Sequence, residues 1–99
     1  VFPKHERWLR GFECCVPGCD TGLKIEAHHL RSAANSGTSL KPASWFCIAL
    51  CASHHDQYHK VGIDTFAEMH KLDLWAMAEE FASRSPDMAM REAMREAAE

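Results

Sequence analysis

Within nine residues, Cys51-x-x-His54-His55-x-x-x-His59, this chain places four side chains of the kinds that bind transition metals. The whole sequence holds five cysteines and seven histidines in 99 residues. A chain this short buries a marginal apolar core, and a metal or a disulfide often completes it. The sequence has no run of 18 apolar residues and no basic-then-apolar leader. It therefore reads as neither a membrane span nor a signal peptide, and the expected location is cytoplasmic. There thiols stay reduced, and clustered Cys and His bind metal more often than they pair. The first residue is Val1 rather than Met, so the expectation is one domain cut from a longer chain.

The ligand-type residues fall into two sets. Cys14 and Cys19 form one close pair, and Cys51 and His54 form another. A structural zinc takes four Cys or His ligands in a tetrahedron, delivered as two short-range pairs because each pair fits one turn of backbone. Cys15 is an alternative to Cys14, since a shorter gap to Cys19 also serves. Cys47 sits in an apolar run and reads as a buried thiol.

The second set is His28-His29 with His55 and His59. Helical residues four apart lie one above the other, so His55 and His59 can grip one ion from the same side. His54 then points about 100° away, toward the zinc set. One segment can thus serve two metals. Neighbours on a strand face opposite ways, so His28 and His29 are expected to do different jobs, one as ligand and the other as base. His5 and His70 belong to neither set and are expected at the surface.

The surrounding pattern predicts a small α+β domain. Pro3 to Arg10 reads as a short helix with Trp8 and Leu9 turned inward and Gly11 ending it. A cysteine knuckle follows, then a half-buried strand at 23–27, a loop at 31–44 and a second strand at 45–50. A helix over Cys51–Lys60 stops at Gly62. Thr65-x-x-Glu68 is a capping box for a further helix whose apolar face runs Phe66, Met69, Leu74, Trp75, Ala78 and Phe81. Ser85-Pro86-Asp87 opens a last helix with Met90, Met94 and Ala97 on one side. The expected division is one domain over 1–82 and a helix over 83–99 that packs on it or serves as a linker or partner helix.

A net charge of −3 argues at first against nucleic acid, whose affinity rests on neutralising phosphates. The charge is not evenly spread. Residues 1–60 hold seven basic and five acidic side chains, and 61–99 hold four and nine. The ligand-rich part is the one able to face a polyanion. Arg31, Lys41 and Lys60 flank its motifs and are the candidate phosphate contacts. The three tryptophans are expected in the core rather than stacked on bases.

These motifs together resemble the HNH (ββα-metal, His-Me finger) endonuclease superfamily. The resemblance rests on the ligand knuckle, Ile25-Glu26-Ala27-His28-His29-Leu30-Arg31, the Gly37–Lys41 loop, and Leu50-Cys51-Ala52-Ser53-His54-His55 with His59. It covers roughly residues 5–82 and is nearest the phage recombination-enhancement (Ref-like) branch. It implies a zinc-stabilised ββα-metal core with flanking helices, in which a hairpin strand ends in the catalytic histidine and the next helix supplies metal ligands. His29 matches the general base. His28 matches the preceding ligand position, often Asp in relatives, His55 the helical ligand and His59 the further ligand. The implied cofactors are structural Zn²⁺ and a catalytic Mg²⁺ or another divalent cation. The implied substrate is DNA, with a recombination protein or flanking domain as a further partner. In one place the chain departs from the pattern: the middle Asn of the family motif, which positions the base, is replaced by Phe46 beside Trp45. The alternative is therefore a domain of the same fold that binds DNA or protein without cutting.

Overall fold

The computed structural model describes residues 2–30 and 45–98. The expected loop at 31–44, with Arg31 and Lys41, lies outside them. The elements run α1 (Pro3–Leu9), β1 (Ile25–His29), β2 (Cys47–Cys51), α2 (Ala52–Val61), α3 (Ile63–His70), α4 (Leu74–Arg84) and α5 (Met88–Ala98). This is a small α+β fold built on a two-stranded antiparallel sheet. Ile25 pairs with Cys51 and His29 with Cys47, so both ends of the hairpin carry ligand-type side chains.

All five residues of β2 are buried, and the strand touches α1, α2 and α4. That accounts for its unbroken apolar run, since a strand covered on both faces has no reason to alternate. Leu30, Ile48 and Leu50 from the hairpin meet Tyr58, Ile63, Phe66, Leu74 and Ala78 from the helices in one core. A second aromatic group holds α1 against α4. Trp8, Phe12 and Phe81 pack edge to face, with ring centroids 4.8 to 6.1 Å apart. Trp8 is thus half-buried, while Leu9 beside it is fully buried.

The knuckle is a tight turn. Cys19 N–H donates to the Val16 carbonyl at 3.1 Å, with Pro17 and Gly18 between them and Gly18 at φ 77°. Proline then glycine at the two central positions is the sequence preference of a type II turn, whose third residue needs positive φ. The Cys15 N–H donates to the Ala49 carbonyl at 2.8 Å and fastens the knuckle to β2.

Three sequence expectations are corrected in the helical part. The apolar face expected to run on from Phe66 to Phe81 belongs to two helices, because Lys71 takes a left-handed conformation at φ 55° and closes α3. Asp73 then caps α4, its Oδ1 accepting from the Ala76 N–H at 3.1 Å. Thr65 lies inside α3, which begins at Ile63 directly after Gly62, so the capping box does not start it. Met69 is half exposed as a result of the break. The last helix is capped by Asp87, not Ser85: Asp87 Oδ1 accepts from the Met90 N–H at 3.0 Å. Met90 is buried at the start of α5, and Ala97 is exposed.

His5 is the fourth correction. It is fully buried, its Nδ1 lies 2.9 Å from Ser85 Oγ, and its backbone N–H donates to Asp87 Oδ2 at 3.2 Å. Nothing about the isolated position of His5 along the chain signals that α5 starts against α1. Burial is the chief influence on its ring and holds its pKa below the ordinary 6.5, against the opposing Trp45 carbonyl and Asp87.

Candidate metal centres

The hairpin and α2 bring two groups of ligand-type side chains to opposite sides of one short segment. Cys14, Cys19, Cys51 and His54 form the first group, and His28, His55 and His59 the second. In each, the ligand atoms lie within 4.8 Å of one another.

The first group sits where the knuckle, the end of β2 and the start of α2 meet. Cys51 is the last residue of β2 and the N-cap of α2, and its side chain accepts from the His54 N–H. The close pair expected from the sequence, Cys51 and His54, is one turn of capped helix. The Sγ atoms of Cys14, Cys19 and Cys51 lie 3.5, 3.5 and 3.2 Å from His54 Nδ1. Cys19 Sγ and Cys51 Sγ are 3.8 Å apart. A tetrahedral zinc with ordinary Zn–S and Zn–N bonds sets edges of about 3.8 Å between sulfurs and about 3.6 Å from sulfur to nitrogen. The Cys14–His54, Cys19–His54 and Cys19–Cys51 edges lie close to those figures and the Cys51–His54 edge is shorter, so the donor set fits zinc in chemistry and approximately in size.

The open choice between Cys14 and Cys15 falls to Cys14. Cys15 lies outside the group, and burial, with Cys14 next in influence, pushes its thiol up to about 12. Burial likewise raises Cys14 to about 11. Cys51 moves the other way. Burial opposes its ionisation, but hydrogen bonds from Thr21, His54 and Cys19 outweigh that and bring it down to about 6. Cys47 is a buried thiol raised to about 12 by desolvation, in line with its reading as a core residue.

The second group is built across the sheet-helix contact. His28 from β1 is buried, His55 is half-buried and His59 is exposed. The rings meet edge to face, with His28 centroids 4.4 Å from His55 and 5.1 Å from His59. The Tyr58 ring backs His28 at 4.0 Å. The Nε2 atoms of His55 and His59 approach to 3.0 Å. Two nitrogens on one ion with bonds of about 2.1 Å lie about 3.0 Å apart at a right angle and about 3.4 Å apart at a tetrahedral one. On its far side, His55 Nδ1 meets Glu26 Oε1 at 2.6 Å.

His28, His29, His55, Tyr58 and His59 line one open cleft of about 420 Å³, together with Ala27. His29 thus shares the cleft without belonging to the ligand group. Both residues lie inside β1 and both line this cleft, so the alternation of neighbours along a strand does not by itself part them.

The remaining candidates are placed as follows. Lys60 is exposed at the end of α2 and forms an ion pair with Asp56 at 2.8 Å. His70, expected at the surface, is half-buried behind the first group: its ring lies 5.3 Å from His54 and 4.5 Å from Phe66, and Nε2 meets Gln57 Oε1 at 2.6 Å. Desolvation first, then His54, lowers its pKa from the ordinary 6.5. Sequence reasoning had no signal for His70, because the α2–α3 turn at Gly62 decides what it meets. Glu26 did carry a signal. It stands two residues before His28 on the strand, and such residues share a face.

Among the described residues, no helix is long and apolar enough to cross a membrane. Comparison of the chain with known protein families, with curated proteins and with solved structures gives no match.

Proposed function

We propose that this protein is a metal-dependent endonuclease of the HNH type, hydrolysing DNA phosphodiester bonds with His29 as general base. The observation that carries the reading is the shared cleft: three imidazoles converge as a ligand group, and a fourth, His29, stands in the same opening outside that group. Phosphodiester hydrolysis needs both roles, a held cation and a base for water. The antiparallel hairpin followed at once by α2 is the order of elements that the ββα-metal resemblance implies.

In this reading His28, His55 and His59 hold a divalent ion, and Cys14, Cys19, Cys51 and His54 hold a zinc that fastens the knuckle to α2. Three nitrogen donors suit a transition metal better than Mg²⁺, which prefers oxygen ligands, so Mn²⁺, Co²⁺, Ni²⁺ or Zn²⁺ is the expected ion. When bound, the ion supplies positive charge to the scissile phosphate and the leaving oxygen. His29 takes the proton from the attacking water, a role in which an imidazole is the commonest side chain. Arg31, Lys41 and Lys60 are the proposed phosphate contacts, and Lys60 has to exchange Asp56 for phosphate to serve.

The test is nicking of supercoiled plasmid at low salt by zinc-loaded protein, with Mn²⁺, Co²⁺, Mg²⁺ or no added ion, against His29→Ala. Metal-dependent nicking that falls by about 10²- to 10⁴-fold in the variant supports the proposal. Plasmid binding without nicking by the wild type, under every ion, leaves the non-cutting DNA-binding domain as the reading.

A further inference from the structure

Glu26 belongs to neither ligand group and makes a close side-chain contact in the histidine centre. Its Oε1 lies 2.6 Å from His55 Nδ1. A half-exposed carboxylate beside a half-exposed histidine contributes little to stability as a surface pair. What separates this pair from an ordinary one is the other edge of the same ring, where His55 Nε2 faces His59 Nε2 at 3.0 Å. An ionised carboxylate can only accept a hydrogen bond. His55 Nδ1 must therefore carry the proton, and in the neutral ring the lone pair is left on Nε2, the atom turned to the ligand group.

The backbone fixes this arrangement. Glu26 pairs with Leu50 and His28 with Ile48 in the sheet, so both side chains leave the same face of β1 at a set spacing. His55 stands on the first turns of α2, which is anchored to the sheet by the Ala52 N–H donating to the Lys24 carbonyl at 3.0 Å. Carboxylate, imidazole and ligand position lie on rigid elements, as a preorganised centre requires.

We propose that Glu26 is a positioning residue for the histidine centre: it holds His55 as the Nδ1–H tautomer, aims its Nε2, and so sets how tightly a transition-metal ion is bound there. The proposal rests on the histidine ligand group of the proposed nuclease. Carboxylates that hold the far nitrogen of a ligating histidine raise its basicity and fix its ring, and their loss costs about 10- to 100-fold in metal affinity. The Glu26→Gln variant still offers an oxygen to Nδ1–H but no charge, so it should recover part of the loss. The shorter side chain of Glu26→Asp cannot span the same gap from the strand, and this variant should resemble Glu26→Ala.

Protein already carrying one equivalent of zinc is titrated with Co²⁺ by calorimetry and visible absorption, as wild type, Glu26→Ala, Glu26→Gln and Glu26→Asp. The tautomer of His55 is read alongside from ring ¹⁵N shifts in the zinc-loaded protein before cobalt is added. The expected result is one further equivalent in the wild type, bound about 10- to 100-fold more weakly by Glu26→Ala, with Glu26→Gln in between. The first equivalent and the melting temperature stay unchanged, and His55 goes from a single tautomer to a mixture in Glu26→Ala. A general structural role would not move the tautomer while leaving the melting temperature alone. Equal cobalt affinity in wild type and Glu26→Ala, or an unchanged tautomer, overturns the role of Glu26 and leaves the histidine centre standing. A wild type that takes no further equivalent overturns both, since His55 then lies in a Glu26–His55–His59 hydrogen-bonded chain rather than a metal centre.

Discussion

The two ligand groups share one helix and differ in almost everything else. The sulfur-rich group joins two separate pieces of chain, the knuckle and the β2–α2 junction, and its Cys19 edges to Cys51 and His54 are close to those of a closed zinc tetrahedron. The histidine group has three donors, one of them exposed, and opens on a cleft. A closed set of four is what a structural ion takes, and a set of three with room beside it leaves a position for water or substrate. Adjacent residues, His54 and His55, thus belong to different groups because a helix turns about 100° per residue.

The contrast breaks most visibly at Cys51. Cys51→Ser removes a sulfur donor and the thiol lowered to about 6, while the serine hydroxyl can still cap α2, and binding free energies of structural zinc are on the order of 10 kcal/mol. The expected outcome is loss of bound zinc and of the cooperative thermal transition, followed by circular dichroism and metal analysis. Retention of a sharp transition without zinc would mean that the core alone sustains the fold. His59→Ala is the matching change on the other side. His59 is exposed, so stability should move by no more than about 0.5 kcal/mol. Metal-dependent nicking should fall by at least about 100-fold, measured with the melting temperature on the same sample.

That asymmetry was legible in part. The spacing of Cys51, His54, His55 and His59 on one helix fixes which side each faces, and the structure follows it. Cys14 and Cys15 could not be separated from sequence, because the choice depends on which thiol the Val16–Cys19 turn presents and which backbone N–H it spends on Ala49. The α3–α4 break was hidden for a similar reason: Lys71 adopts a left-handed cap that its residue type does not announce. His5 and His70 were misjudged because their partners, Ser85 with Asp87 and Gln57 with His54, come from elements whose docking no local pattern encodes.

The smallest effect comes from outside both groups. His5 and His70 have pKa values lowered in the fold, chiefly by burial. Below the ordinary 6.5, the unfolded chain then binds more protons than the folded one, so stability declines as the pH falls through that value toward the folded pKa. Protonation of the zinc thiolates acts in the same direction. His5→Gln removes one contribution and leaves the zinc cluster alone, so its melting temperature should fall less between about pH 7 and about pH 5.5 than that of the wild type. Identical slopes would place the whole acid sensitivity at the metal groups and His70.

The contact of His5 with Asp87 spans 82 positions along the chain. A turn of α2 or the hairpin joins residues much closer along the chain, and such contacts close at a lower entropic cost. The clasp between α1 and α5 has no local route: closing it brings together residues far apart along the chain, at a larger entropic cost than a helical turn or the hairpin. Protection of the His5 amide from exchange with solvent is therefore the expected report that α1 and the start of α5 have met, a signal no contact within the hairpin or α2 can give.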